Sequence, residues 1–267
     1  KYSRSASAML VMTVLNIALD YVFLFVCDFG IAGAAWASVI ATVVAFVMGF
    51  AFLFADHSNF RFGFAFYKKD DWAKIIKYGS PMAVNNILTG LKILLLNPIL
   101  YKIGISGFVA IFAVINNINE FSIFIQNGVP QTATAMTGIF SGEKDSKNVK
   151  ELLKVQIVTG MAITLVFSAL LCIFSGKIGF LFGSNADCSF AVIMFSVSLF
   201  FAVLNNILSY YYNATGSIIM ANIIVVMRGF VAVLLSVLIF RSLGEHVWVF
   251  YPVAEILTLI VAFLVGL

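Results

Sequence analysis

Between Asp28 and Asp56 the chain has no charged residue, and the run GIAGAAWASVIATVVAFVMGFAFLFA that fills the gap is apolar on every helical face. Roughly 18 or more such residues in succession mark a helix that crosses a bilayer, because water offers no partner for a helix without a polar side. Comparable runs recur, and eight segments are predicted to span: about 5–27, 30–55, 80–101, 108–137, 155–174, 190–212, 217–240 and 247–267. Charged residues make up only 10% of the chain, whereas a soluble domain carries about a quarter. The short alternating segments of a transmembrane barrel are not seen. The predicted class is all-α, a polytopic membrane helical bundle of about eight transmembrane helices.

The fourth segment, FVAIFAVINNINEFSIFIQNGVPQTATAMT, carries Glu120 as the only charge between Lys102 and Glu143. At about 100° per residue, Asn116, Glu120, Asn127, Gln131 and Thr134 fall on one narrow face. A lone carboxyl costs several kcal/mol in hydrocarbon, so this face is expected to look into the bundle or a wet cavity. Either it forms one wall of a solute path, or it is a hydrogen-bond knot that fixes helix packing.

Lysine and arginine placement sets orientation, since cytoplasmic loops are enriched in both. One side would hold Lys1, Arg4, Arg61, Lys68, Lys69, Lys74, Lys77, Lys144, Lys147, Lys150 and Lys154; the other only Lys102, Lys177 and Arg241. That asymmetry is expected to put the basic linker, the SGEKDSKNVKELLK loop and the C-terminus in the cytoplasm; the expected location is the cell (plasma) membrane. Within the linker Trp72, Ile75 and Ile76 share a face, consistent with a short interfacial helix. Ser80-Pro81 is expected to open the third span, as a cap followed by proline at the first helical position. No cleavable signal precedes the first span, and the chain begins at Lys1; it is read as a fragment of a longer protein.

A weak internal repeat relates segments one and two to segments seven and eight: a polar-centred helix, a glycine turn, then a helix beginning with small residues or tryptophan. Paired halves are a common plan of membrane carriers. The expected organisation is residues 1–56 as the last two helices of an N-terminal lobe, 57–79 as the cytoplasmic linker, and 80–267 as a complete six-helix second lobe.

Several groups are placed to do chemistry. Glu120 leads, because burial raises a carboxyl pKa and access to one side or the other can switch its charge. Lys92, Arg228 and Glu255 also lie inside spans and are expected to pair with opposite charges, as structural ion pairs or as part of a path. Asp20, one turn from Asn16, is a second ion-coupling candidate or a helix-end packing group. In LNNILSYYYNATGS, Asn205, Ser209 and Tyr212 share a face suited to a flat organic cation, although Tyr211 and Tyr212 also fit an interfacial belt. Asn85 and Asn86 would line the same cavity or bond between helices. Cys27, Cys172 and Cys188 read as small buried hydrophobes. His57 and His246 have no ligand-spaced neighbours, so no metal site is expected. Asn213-Ala-Thr215 matches a glycosylation sequon, but its expected cytoplasmic placement argues against use.

Taken in order, LNIALDYVF, GIAGAAWASVIAT, KYGSPMAV, LLLNPIL with Asn97, GVPQTATAMTGIFSGEKD, YNATGS with Arg228, and VWVFYPVAEIL resemble the multidrug and toxic compound extrusion (MATE) family. The resemblance spans nearly the whole chain. It implies a twelve-helix transporter of two six-helix lobes, an outward-opening cavity between them, and efflux coupled to protons or sodium. It further implies that this chain begins at the family's fifth helix and that the lobes meet in the linker before Ser80. The first helix, where many proton-coupled members keep an aspartate, would then precede Lys1. Sodium-coupled members often carry an acidic residue in the helix corresponding to the third segment, near the position of Thr89.

The expected function is therefore export of amphipathic, cationic organic compounds, driven by a proton or sodium gradient through alternating access. No nucleotide motif and no catalytic motif occurs, so an enzyme is not expected, nor is any cofactor beyond the coupling ion. The expected partners are a small-molecule substrate and membrane lipids, with no nucleic acid or nucleotide, and the full-length protein is expected to be a monomer. The alternatives are a flippase for lipid-linked oligosaccharides, which would want cavity arginines for a pyrophosphate, a membrane-embedded transferase, and a passive channel.

Overall fold

The structure, a computed structural model, describes residues 2–53, 69–102, 107–184 and 186–266. Most of the basic linker, with His57, Arg61 and Lys68, lies outside the described residues. Among the described residues every regular element is helical, and eight helical stretches are long and apolar enough to cross a membrane. This is the polytopic bundle the composition predicts. The chain divides into two compact units, Lys1–Tyr67 and Lys68–Leu267.

The first unit is a helical hairpin. Helix α1 (Tyr2–Tyr21) ends in a π-helical turn, Val22–Val26, and the chain reverses at Asp28 (φ 53°) into α2 (Gly30–Leu53). Lipid gives two apolar helices no hydrophobic reason to associate, so close approach and hydrogen bonds must hold them together. Ala8, Ala37 and Ala41 are buried in the seam, and Asn16 Nδ2 donates to Ser38 Oγ at 3.2 Å. At Gly33 a Cβ would stand 2.9 Å from the Cβ atoms of both Phe23 and Phe29, so only glycine lets the turn close.

The second unit contains α3 (Lys69–Lys102), α4 (Phe108–Gly142), α5 (Ser146–Leu181), α6 (Ser189–Ala214), α7 (Ile218–Val226), α8 (Ala232–Phe240) and α9 (Phe250–Gly266). A π-helical turn, Met227–Val231, joins α7 to α8, so the seventh span runs unbroken over Ile218–Gly244. A 3₁₀ stretch, Arg241–Val249, leads into α9.

The third span departs from expectation. Ser80-Pro81 does not open a helix, and Trp72, Ile75 and Ile76 do not form a separate one; all lie within continuous α3. Proline in a helix interior normally leaves the carbonyl four residues back without a donor. Here that carbonyl belongs to Lys77, and the Ser80 hydroxyl donates to it at 2.8 Å. The serine read as a cap instead repairs the ladder that proline breaks. Helices α5 and α6 meet along Gly160, Thr164 and Ser168, spaced by four, and Ser168 Oγ donates across the seam to the Ser196 carbonyl at 3.0 Å.

The core occupies one end of this unit. Leu96 and Leu100 from α3, Phe112 and Ile115 from α4, Phe195 and Leu199 from α6, and Val237 and Phe250 are all buried there. Phe108 meets Trp248 edge-on at 5.5 Å, and Phe250 stacks on Tyr251 at 4.1 Å. Beyond this apolar plug the same helices enclose a polar space.

Candidate functional site: a charge-lined cavity in the second unit

The space is a cavity of about 430 Å³ walled by residues 81–96 of α3, 112–127 of α4, 195–213 of α6, 224–233 of the seventh span and 250–255 at the start of α9. Its volume lies within the range of about 300–1,000 Å³ usual for small-molecule sites. The buried side chains Leu96, Phe112, Ile115, Phe195 and Phe250 belong both to the core and to the lining, so one end of the cavity is apolar and aromatic. Farther along, the lining turns polar, with Asn85, Asn86, Thr89 and Lys92 from α3 facing the same space as Asn116, Asn119, Glu120, Gln126 and Asn127 from α4.

One side of the cavity is a closed hydrogen-bond network. Arg228 Nε donates to Glu255 Oε1 at 2.7 Å, and its Nη1 donates to Asn206 Oδ1 at 2.7 Å. Its remaining nitrogen, Nη2, donates to Gln126 Oε1. Asn206 Nδ2 donates in turn to Asn127 Oδ1 at 3.0 Å. Behind the wall, Asn205 Nδ2 donates to Glu255 at both Oε2 (2.8 Å) and the backbone carbonyl (2.9 Å). Both carboxylate oxygens and all three guanidinium nitrogens are thus engaged. The network ties α4, α6, the π turn and α9 together, and the Arg228 and Glu255 side chains keep only 20% and 15% of their exposure.

Local backbone places Arg228. It lies in the π turn, where Ala232 N–H reaches back five residues to the Met227 carbonyl, and such turns favour functional positions. The next residue, Gly229, packs on α3: a Cβ there would lie 3.1 Å from Leu88 Cβ. The missing side chain is what brings the π turn against α3, with Arg228 and Lys92 lining one space.

The other charges stand differently. Lys92 and Glu120 both line the cavity, yet neither makes an ion pair or a hydrogen bond with any described side chain. Lys92 is half-buried and Glu120 exposed on the cavity side of its helix. Of the two acids open to Arg228 by sequence, the structure gives it Glu255, and it gives Lys92 none.

Most sequence-selected residues converge here. Asn85, Asn86, Lys92, Asn116, Glu120, Asn127, Ser209, Arg228 and Glu255 line the cavity. Asn205 does not: it is fully buried behind the wall, where it orients Glu255. Gln131 is exposed and outside the lining; Thr134 and Tyr212, both half-buried, are outside it too. For Gln131 and Thr134 the reason is length. Helix α4, at 35 residues, is about 52 Å long, well beyond the roughly 30 Å hydrocarbon core, and the cavity borders only its 112–127 portion. Asp20 belongs to the first unit; its Oδ1 has no solvent-accessible surface and no hydrogen-bond partner among the described residues. Sequence reasoning missed Gln126, Asn206, Asn119 and Tyr251. Residues 112, 119 and 126 repeat every seven positions beside the Glu120 stripe, so a wider face would have included the two on α4.

Fold and cavity define the class: a multi-pass α-helical membrane protein with a charged internal cavity. The fold is that of MATE transporters. A multidrug resistance MATE family transporter of the MOP superfamily, in an outward-facing conformation, superposes with a TM-score of 0.86 at 23% identity over 97% of this chain and 60% of that one. A MATE protein in its bent conformation gives 0.85 at 23% identity, covering 99% of this chain and 61% of that one. A MOP superfamily transporter from Pyrococcus furiosus, whose binding pocket has reverse polarity, gives 0.87 at 22% identity over 97% and 60%. The chain therefore spans about 60% of the length of the transporters it matches. No family model matches the sequence, and no curated protein matches it.

Proposed function

We propose that this chain forms the larger part of a MATE-type exporter of amphipathic organic compounds, driven by a proton or sodium gradient. The observation that carries this reading is Glu120: an ionisable group on a membrane span, fronting a cavity of drug-sized volume and not consumed by an ion pair. Intramembrane charges that are not paired mark ion and substrate routes.

In this reading Glu120 holds the cationic part of a cargo while ionised, and binding of a proton or sodium there ends the attraction and releases it. Asn85, Asn86, Asn116 and Asn119 supply donors and acceptors, and the Phe112–Phe195–Phe250 end supplies apolar contact. The cavity runs from the core toward the end where α4 meets α5, which carries Lys144, Lys147 and Lys150. That basic end is the cytoplasmic one under the orientation rule, so the C-terminus would lie inside and cargo would enter from the cytoplasm. Cargo would cross by alternating access between two lobes.

A lipid-linked pyrophosphate is a poorer fit. Arg228 is the cavity's arginine among the described residues, and all its nitrogens are already engaged.

The test is dye efflux from vesicles holding the full-length parent protein, under separately imposed pH and sodium gradients. Glu120→Gln is expected to insert normally and to lose gradient-driven export at least tenfold. Export at the parent rate would remove Glu120 from the mechanism.

A further inference from the structure

We infer that the cavity selects cargo carrying an anionic group as well as a cationic one, with Lys92 as the anion-binding residue. The inference rests on the reading of the cavity as a cargo site and adds the charge type of the cargo.

The two walls differ in how their charges are satisfied. Arg228 and Glu255 neutralise each other at 2.7 Å and take the surrounding amides as further partners. Lys92 and Glu120 sit on α3 and α4, front the same space, and lie beyond ion-pair distance of any charge among the described residues. A half-buried ammonium in a membrane bundle is unfavourable unless something anionic or water meets it. Among the described residues none brings an anion to contact distance of Lys92, so a cargo anion can be met there.

The surroundings fit such a group. Asn85, Thr89 and Lys92 recur at four and three residues, so they share one face of α3, and helical side chains lean toward the N-terminus, back over that face. The Thr89 hydroxyl is turned to the Asn85 carbonyl at 2.8 Å. The side-chain amides of Asn85 and Asn86 make no hydrogen bond with a described residue and line the same cavity as Lys92, leaving N–H donors on the same wall. A carboxylate held there would accept from Lys92 and an asparagine while its cationic counterpart faces Glu120 across the cavity. A cation alone satisfies one free charge and leaves the other; a zwitterion satisfies both.

The experiment uses one dye scaffold in two charge states: tetramethylrhodamine with its single free carboxylate, a zwitterion, and its methyl ester, a cation. Binding to the purified full-length protein is followed by fluorescence anisotropy. The acid is expected to bind about tenfold more tightly than the ester, the scale of one charge-assisted hydrogen bond. Lys92→Met should erase that preference while leaving ester binding unchanged or tighter, and Lys92→Arg should restore it. Equal binding of acid and ester by the parent protein, or equal loss of both in Lys92→Met, would overturn the inference and leave the exporter reading standing. If the parent protein binds neither dye, the cargo-site reading falls and the inference with it.

Discussion

The two walls of the cavity carry the same types of charge in opposite circumstances. On the α6–α9 side, Arg228 and Glu255 are in contact and saturated with hydrogen bonds. On the α3–α4 side, Lys92 and Glu120 are in contact with no charge among the described residues. A saturated pair inside a bundle fixes geometry, because removing either partner strands the other. An unsaturated pair contributes little to packing and remains available to ions and ligands. The first wall is read as framework and the second as working surface, a division that substitutions can break or sharpen.

The largest effect is expected from Arg228→Ala. It leaves Glu255 buried without its partner and frees three acceptors, a change of about 3–5 kcal/mol for a broken buried pair. Thermal unfolding in detergent should show a large drop or a failure to express, and Arg228→Met combined with Glu255→Met should recover much of it. If Arg228→Ala melts like the parent, the framework assignment is wrong.

Next comes the contact that seats the π turn. Gly229→Val places a branched side chain where a Cβ already stands 3.1 Å from Leu88, and overpacking of this kind costs about 1–3 kcal/mol. Adding Leu88→Ala should restore part of the loss; an unimproved double variant would mean that the clash is not with α3.

On the other wall the same melting experiment should report almost nothing. Lys92→Met removes a charge that has no contact partner, so stability should hold or rise slightly. A drop as large as that of Arg228→Ala would show that Lys92 belongs to the framework after all.

A slight, pH-dependent effect is expected from an exposed charge outside both walls. Asp187, in the turn between α5 and α6, accepts from the Ser189 hydroxyl at 2.6 Å and from its backbone N–H at 2.9 Å. These bonds hold its carboxyl below the usual aspartate value. A depressed folded-state pKa contributes stability above the unfolded-state value, and this contribution is lost as pH falls through the folded value. Asp187→Asn should therefore lower the melting temperature slightly at neutral pH, with the gap to the parent closing below about pH 4. A gap that persists there would point to packing as the cause.

How much of this was legible in the sequence follows from signal strength. A charge in an apolar run is visible one residue at a time, which is why Lys92, Glu120, Arg228 and Glu255 stood out. Neutral amides gave no such contrast. Asn206 and Gln126 complete the Arg228 network, while their neighbours Asn205 and Gln131, equally polar, turn behind the wall or lie outside the lining. Ser80-Pro81 misled because cap and repair use the same residue types, and only the path of α3 tells them apart.

Hydrophobicity by itself determined that this chain is a set of membrane-spanning helices, since a bilayer admits few other ways to satisfy the polar backbone of so apolar a chain. Only the tertiary structure decided which charges meet. Partner choice depends on the rotation of each helix about its axis, set here by a π turn, a glycine pressed on Leu88 and an asparagine behind Glu255. Such rotations arise from contacts between segments distant in the sequence, and no single run of residues encodes them.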